Sequence, residues 1–179
     1  METCLVKCSA KSTKKLDVYI RGPIEEFEYY DPVIEEFANL SENDVVYVHL
    51  NTPGGDCAIG FFLIDQILSL PCPVHMIVEY PTYSMGAIMA LCGTSLRINP
   101  DSYIMFHDYS GGAHGKGEDT AQYVSNYRRV FKDRFTRLCK PFLSLAEVNK
   151  MFKGEDLYIY DGDNTGTPLE HRLKKHFNQ

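Results

Sequence analysis

A serine, a histidine and a carboxylate fall where side chains can perform nucleophilic chemistry: Ser84, His107 and Asp156, in that order along the chain. Ser84 follows the β-rich stretch Pro73 to Glu79 and opens the small-residue apolar run Met85 to Leu91, so it is predicted at a strand-to-helix turn. A hydroxyl there sits near the positive end of the helix dipole, beside backbone N–H groups with no helical partner. His107 ends the apolar strand Tyr103-Ile104-Met105-Phe106, and Asp156 immediately precedes Leu157-Tyr158-Ile159. Taken singly, each has a blander reading: a helix-capping serine, a structural histidine, a solvated turn acid. Together they form a chemical set. A neutral imidazole removes the hydroxyl proton, and a carboxylate on the other ring nitrogen fixes the tautomer and stabilises the imidazolium. Oxyanion donors come from Asn51-Thr52-Pro53-Gly54-Gly55, where glycine lets backbone N–H groups approach a ligand closely, and from Met85 N–H at the helix start. Gly54 and Met85 are therefore the expected donors.

The elements needed to hold these groups alternate along the chain. Leu16 to Ile20 and Val45 to Leu50 read as strands, the second nearly continuous in β-formers as expected of a strand covered on both faces. Pro32 starts a helix through Val33, Ile34, Phe37 and Leu40, and Asp56 caps another through Ile59, Phe62, Leu63, Ile67 and Leu70 that Pro71 stops. Short strands follow at Leu96 to Ile98 and Tyr103 to Phe106, then a Gly-rich loop from Gly111 to Gly117 and a long helix from about Asp119 to Lys140. Ser144 introduces a further helix to Phe152, Leu157 to Tyr160 is a last strand, Asp161 to Gly166 is turn-rich, and a basic helix spans Leu169 to His176. Repeated strand-turn-helix units predict an α/β domain with parallel strands. The division expected is a loose arm over 1–15 and one domain over 16–179.

Composition narrows the chemistry. A net charge of −6 argues against nucleic acid, whose phosphates need a basic surface, and gives no electrostatic hold on a membrane. No apolar run approaches the ~20 residues of a membrane span, so a cytoplasmic protein is expected. The six cysteines form no CxxC and no zinc-spaced cluster, and Cys57, Cys72, Cys92 and Cys139 lie in apolar stretches as expected of buried thiols in a reducing compartment. No metal or cofactor is expected. His107, Asp108 and His114 are joined by glycine-rich spacing that makes no rigid ligand frame, and the Asp161 to Asp163 run lacks the closing Glu of a calcium loop.

The order Ser, His, Asp differs from those of the α/β-hydrolases, chymotrypsin and subtilisin, and Thr82-Tyr83-Ser84-Met85-Gly86 lacks the G-x-S-x-G elbow. The sequence instead resembles the ClpP family of self-compartmentalising serine peptidases. Asn51 to Gly55 is similar to its N-S-P-G-G turn, Ser84-Met85-Gly86 to its S-M-[GA], and Ile104 to His107 with Gly111-Gly112 to its M-I-H-x-P-x-G-G segment. The resemblance covers roughly Leu16 to Ile159 and assigns the acid to Asp156 by position, ahead of Glu155, Asp161 or Asp163. It implies a crotonase-like spiral α/β fold of ββα repeats with a protruding handle at about 113–152, and a homo-oligomer of stacked heptameric rings. It implies an acyl-enzyme endopeptidase acting on peptides or unfolded proteins, with the backbone at Gly55, Gly111 and Gly112 lining the substrate. Docking of an AAA+ unfoldase is left open by an N-terminal arm too polar for the family's pore loops.

Three departures mark this chain. Tyr83 stands where the family has small residues and is expected to reshape the pocket. Asp108 adds a second carboxylate beside His107, and the segment after Asp156 is replaced by Tyr160 to Gly166. Short relatives of this kind occur among phage-encoded ClpP-like proteins, which implies a viral origin, capsid processing and a host cytoplasm as one reading. Other readings are a catalytically weak ring subunit and a crotonase-type acyl-CoA enzyme, which needs a carboxylate base that nothing here marks. A Ser-Lys dyad is disfavoured because no lysine lies between Lys15 and Lys116.

Overall fold

The computed structural model describes residues 13–160 and 167–177. The turn-rich Asp161 to Gly166 segment and most of the expected arm lie outside them. Four parallel strands form the main sheet in the order β1-β2-β3-β5: β1 (Lys15–Arg21), β2 (Val45–Asn51), β3 (Val74–Val78) and β5 (Ser95–Ile98). A second sheet, β4-β6-β7, joins β4 (Thr82–Tyr83) in parallel to β6 (Tyr103–Phe106), which pairs antiparallel with β7 (Leu157–Tyr160). The expected parallel architecture thus holds for all pairs except the last. A continuous β-rich run was expected to be covered on both faces, yet β2 alternates: Val46, Val48 and Leu50 are wholly buried while Val45, Tyr47 and His49 are half-exposed.

The helices cover the inner faces. Pro32 sits in the first turn of α1 (Asp31–Phe37), which ends before Leu40 because Leu40 N–H turns back to Phe37 O in a tightened 3₁₀-type turn. Asp56 caps α2 (Cys57–Leu68) by accepting from the amides of Ala58 and Ile59. All six residues of α3 (Met85–Ala90) are buried between the sheets. The long α4 (Gly117–Cys139) buries Phe131, Phe135 and Cys139 in its C-terminal half, where Arg134 bonds Phe61 O and Asp65. The same helix leaves Tyr123 and Val124 exposed in its N-terminal half and Val130 exposed just past its midpoint. A reciprocal Ser144/Glu147 capping box starts α5 (Leu145–Met151), and the buried Arg172 of α6 (Leu169–Phe177) reaches back to the same Glu147 (2.6 Å) and to Phe142 O. Burial raises the Glu147 carboxyl pKa, but bonding from Arg172 and Ser144 outweighs it and holds the group down at about 2.

Candidate active site

The turn after β2 meets the turn after β4. Thr52 O accepts from Tyr83 N–H (2.9 Å), and the backbone at Gly54 comes so close to Ser84 that an added Cβ would lie 2.7 Å from Ser84 Cβ and 3.0 Å from Met85 N. Gly54 also has φ +88°, so glycine is required there twice over. Gly86 is small for a related reason, since a Cβ would strike the Cγ2 atoms of Thr52 and Thr82 at 2.5 and 2.8 Å.

Ser84 itself adopts φ 55°, ψ −122°, a conformation that costs a non-glycine residue on the order of 1–3 kcal/mol. The sharp strand-to-helix turn is present although its usual glycine pattern is absent. Ser84 occupies the cap position of α3 but its side chain makes no capping bond. The hydroxyl is therefore free of the structural duty that best explains a serine at this position.

Strand register relates the other two residues to Ser84. Ser84 N–H donates to Met105 O (2.9 Å), which ties it to β6 just before His107. Phe106 pairs with Leu157 at the end of the antiparallel ladder, so His107 and Asp156 stand opposite one another one step beyond. The structure thus brings the three backbone stations to one edge of the small sheet. It does not join their side chains: among the described residues no hydrogen bond links Ser84 Oγ, the His107 ring and the Asp156 carboxylate. His107 is half-buried and Asp156 exposed. Asp108 is occupied elsewhere, accepting from Tyr109 N–H (2.9 Å) and from Arg128 (3.1 Å).

The expected oxyanion donors differ in availability. Met85 N–H, at the first position of α3, has no backbone acceptor, whereas Gly54 N–H donates to Thr52 Oγ1 (3.0 Å). Gly55 lies in an isolated parallel bridge with Ile24, whose backbone bonds to Gly54 O and Asp56 N–H. The N–H and C=O of Gly55 consequently face away from Ile24 and have no backbone partner among the described residues, an open edge for an extended chain. Gly111 and Gly112 line a cavity of about 250 Å³ together with Asp56, Ala58 and three tyrosines, Tyr109, Tyr123 and Tyr127. The tyrosines of α4 were missed by sequence reasoning, although their four-residue spacing was a usable sign of a shared face.

Tyr83 does not stand alone. Its hydroxyl bonds that of Tyr103 (2.8 Å) on the β4-β6-β7 sheet, and this bond pushes its pKa up to about 12. Of the cysteines, Cys72, Cys92 and Cys139 are buried and free as expected, while Cys57 is only half-buried. Among the described residues no group of three or more His, Cys, Asp and Glu converges as a metal site, and no helix is long and apolar enough to cross a membrane.

A family profile described as Clp protease matches residues 3–140, most of the chain. The chain belongs to the Clp protease family. Similar relatives include the ATP-dependent Clp protease proteolytic subunits of Streptococcus pyogenes serotype M5 (strain Manfredo), 26% identical, and of Streptococcus thermophilus (strain ATCC BAA-491 / LMD-9), 27% identical. Each alignment covers 65% of this chain and 66% of the relative, so the chain spans just under two thirds of the length of the Clp subunits it matches. The family match extends over the Gly54 turn, Ser84, His107 and the whole of α4, and ends at Lys140, before Asp156. Membership of the Clp protease family thus rests on the part of the chain that carries the strained turn, and it supports a protease of ClpP type.

Proposed function

We propose that the chain is a serine endopeptidase that hydrolyses peptide bonds through an acyl-enzyme, with Ser84 as nucleophile, His107 as base and Asp156 as the group that orients the imidazole. The observation that carries this reading is Ser84 itself: a strained serine at a strand-to-helix turn, its hydroxyl not used as a cap, beside the open Met85 N–H. In the reaction His107 takes the Ser84 proton as Oγ attacks the scissile carbonyl. The tetrahedral oxyanion is held by Met85 N–H and, once it turns from Thr52 Oγ1, by Gly54 N–H. The imidazolium then protonates the leaving amine, and water, deprotonated by the same ring, releases the acyl group. The substrate backbone runs along Gly55 and the Gly111-Gly112 loop. Loose catalytic hydrogen bonds are common without a ligand and tighten when substrate binds.

The same reading takes the working form to be a homo-oligomer of stacked heptameric rings on the family's spiral fold, with α4 as the handle between rings and no nucleotide needed for short peptides. An AAA+ unfoldase would be required only for folded substrates, and the compartment would be the cytoplasm, or the host cytoplasm if the chain is phage-encoded. A second reading, a ring subunit with little activity, is favoured by the unjoined side chains and the occupied Gly54 N–H. Fluorophosphonate labelling followed by peptide mapping separates the two. Covalent modification of Ser84, lost in Ser84→Ala together with peptide cleavage, is the expected result, and an unlabelled Ser84 would leave only the structural subunit.

A further inference from the structure

The cavity beside Gly111 and Gly112 has a composition that selects one class of side chain. Tyr123 and Tyr127 lie one helical turn apart on α4 with rings stacked at 6.2 Å and 22°, and Tyr109 meets Tyr127 edge-on at 5.1 Å. Asp56, the cap residue of α2, lines the same cavity. Its Oδ1 is used by the amides of Ala58 and Ile59, and among the described residues its Oδ2 accepts no bond and forms no ion pair. The nearby Arg128 is turned away, held by Asp108 and Phe152 O. Asp119, exposed and four residues before Tyr123, adds a second carboxylate to the same stripe of the helix. Tyr123 is 60% exposed, so a ring face is open to solvent at the rim.

Aromatic faces attract cations through their quadrupole, and a free carboxylate oxygen at the end of such a cleft supplies the hydrogen-bonding counter-charge. At about 250 Å³ the space is below the ~300–1,000 Å³ that encloses a whole small molecule and fits a single long side chain. We propose that this cleft is a specificity subsite for a cationic side chain, arginine before lysine, of an extended peptide bound along Gly55. Arginine is favoured because its planar guanidinium can stack on Tyr123 while its in-plane N–H groups donate to Asp56 Oδ2, whereas a lysine ammonium is a compact, strongly hydrated charge with no planar face to stack. The proposal rests on the peptidase reading for its biological meaning but not for its test.

The probe is a short acetylated alanine peptide carrying one arginine, compared with its citrulline and phenylalanine twins, titrated into the full-length Ser84→Ala protein so that nothing is cleaved. Tyrosine ring signals in NMR report the site. The arginine peptide is expected to bind about tenfold more tightly than the citrulline twin, with shifts at Tyr123 and Tyr127. Asp56→Asn, which retains a good helix cap, and Tyr123→Ala should each remove most of that preference. Equal affinity for arginine and citrulline, tighter binding of the phenylalanine twin, or shifts outside the cleft would overturn the proposal. Fluorophosphonate labelling of the wild-type chain runs in parallel. An unlabelled Ser84 with arginine selectivity intact defeats the peptidase reading alone, and a labelled Ser84 without selectivity defeats the subsite alone.

Discussion

Gly54→Ala tests whether the strained serine is held by its neighbour from the β2 turn. Two costs combine at this position. A non-glycine residue at φ +88° loses about 1–2 kcal/mol, and the new methyl would overlap Ser84 Cβ at 2.7 Å and Tyr83 O at 2.9 Å, an overpacking that typically costs ~1–3 kcal/mol. The sum is about 2–5 kcal/mol if the turn stays in place. Ordinary contact begins at 3.4 Å, so the alternative is a retreat of Ser84 by about 0.7 Å. A displacement near 1 Å at a reacting group costs on the order of 10²-fold in rate. Urea unfolding and the second-order rate of fluorophosphonate reaction with Ser84 read the two outcomes separately. Gly22→Ala is the control for conformation alone, having φ +79° and no atom within 4 Å of its added methyl, and should cost only about 1–2 kcal/mol without slowing the label. Gly112→Ala, with neither positive φ nor a close neighbour, should be stable to within about 0.5 kcal/mol. If Gly54→Ala matched Gly22→Ala in stability and the wild type in labelling, the claim that Gly54 seats Ser84 would be wrong.

Asp156→Asn should lower peptide turnover by about 10³–10⁴ with the fold intact, because the imidazole loses its orienting acceptor, whereas Asp108→Asn should cost less than tenfold. The reverse ranking in steady-state assays would transfer the orienting role to Asp108. Glu147→Gln keeps the capping box but strips the buried Arg172 of its counter-charge, and should cost about 3 kcal/mol in urea unfolding. Because the Glu147 pKa is depressed from 4.5 to about 2 on folding, its contribution is complete above pH 4.5 and fades as pH falls toward 2, so the gap between wild type and variant should narrow over that window. Val130→Asp, on an exposed position of α4, should leave the stability of the chain within about 0.5 kcal/mol while reducing the sedimenting mass; an unchanged particle would remove α4 from the inter-ring contact.

Where the sequence was legible, a period or a cap made it so. The alternation through Leu16 to Ile20, the Asp56 cap and Ser144 ahead of α5 each carry their own local reason, and the elements formed where those reasons pointed. Where it was not, the cause lay far along the chain. Two-residue β4 has no period to read, and exists because Tyr83 N–H finds Thr52 O and Ser84 N–H finds Met105 O. The antiparallel sense of β7 depends on how the chain returns after α5, which no residue of Leu157 to Tyr160 encodes. The strain at Ser84 has its counterpart in Gly54, thirty positions earlier, so the absent G-x-S-x-G pattern said nothing about the turn. Ser84, His107 and Asp156 stand out as candidates by residue type and place, but their mutual distances depend on side-chain torsions at strand ends that backbone patterning does not fix.

The three stations differ in how firmly the chain holds them, and the difference follows from burial. Ser84 is anchored by α3, whose Met85, Ile88 and Met89 are at most 2% exposed, and burial of each such side chain stabilises by about 1.5–3 kcal/mol. That exceeds the order of 1–3 kcal/mol of strain at Ser84, so the serine turn persists without help from a ligand. His107 and Asp156 lie just past the last paired residues of β6 and β7, one half-buried and the other exposed, and nothing of comparable size fixes their side chains. On the proposed reading, a site built this way presents a preset nucleophile to a base and an acid whose side chains the strands themselves do not fix. Its reactivity should therefore respond far more to contacts that order the ends of β6 and β7 than to changes in the core beneath Ser84 that preserve the turn.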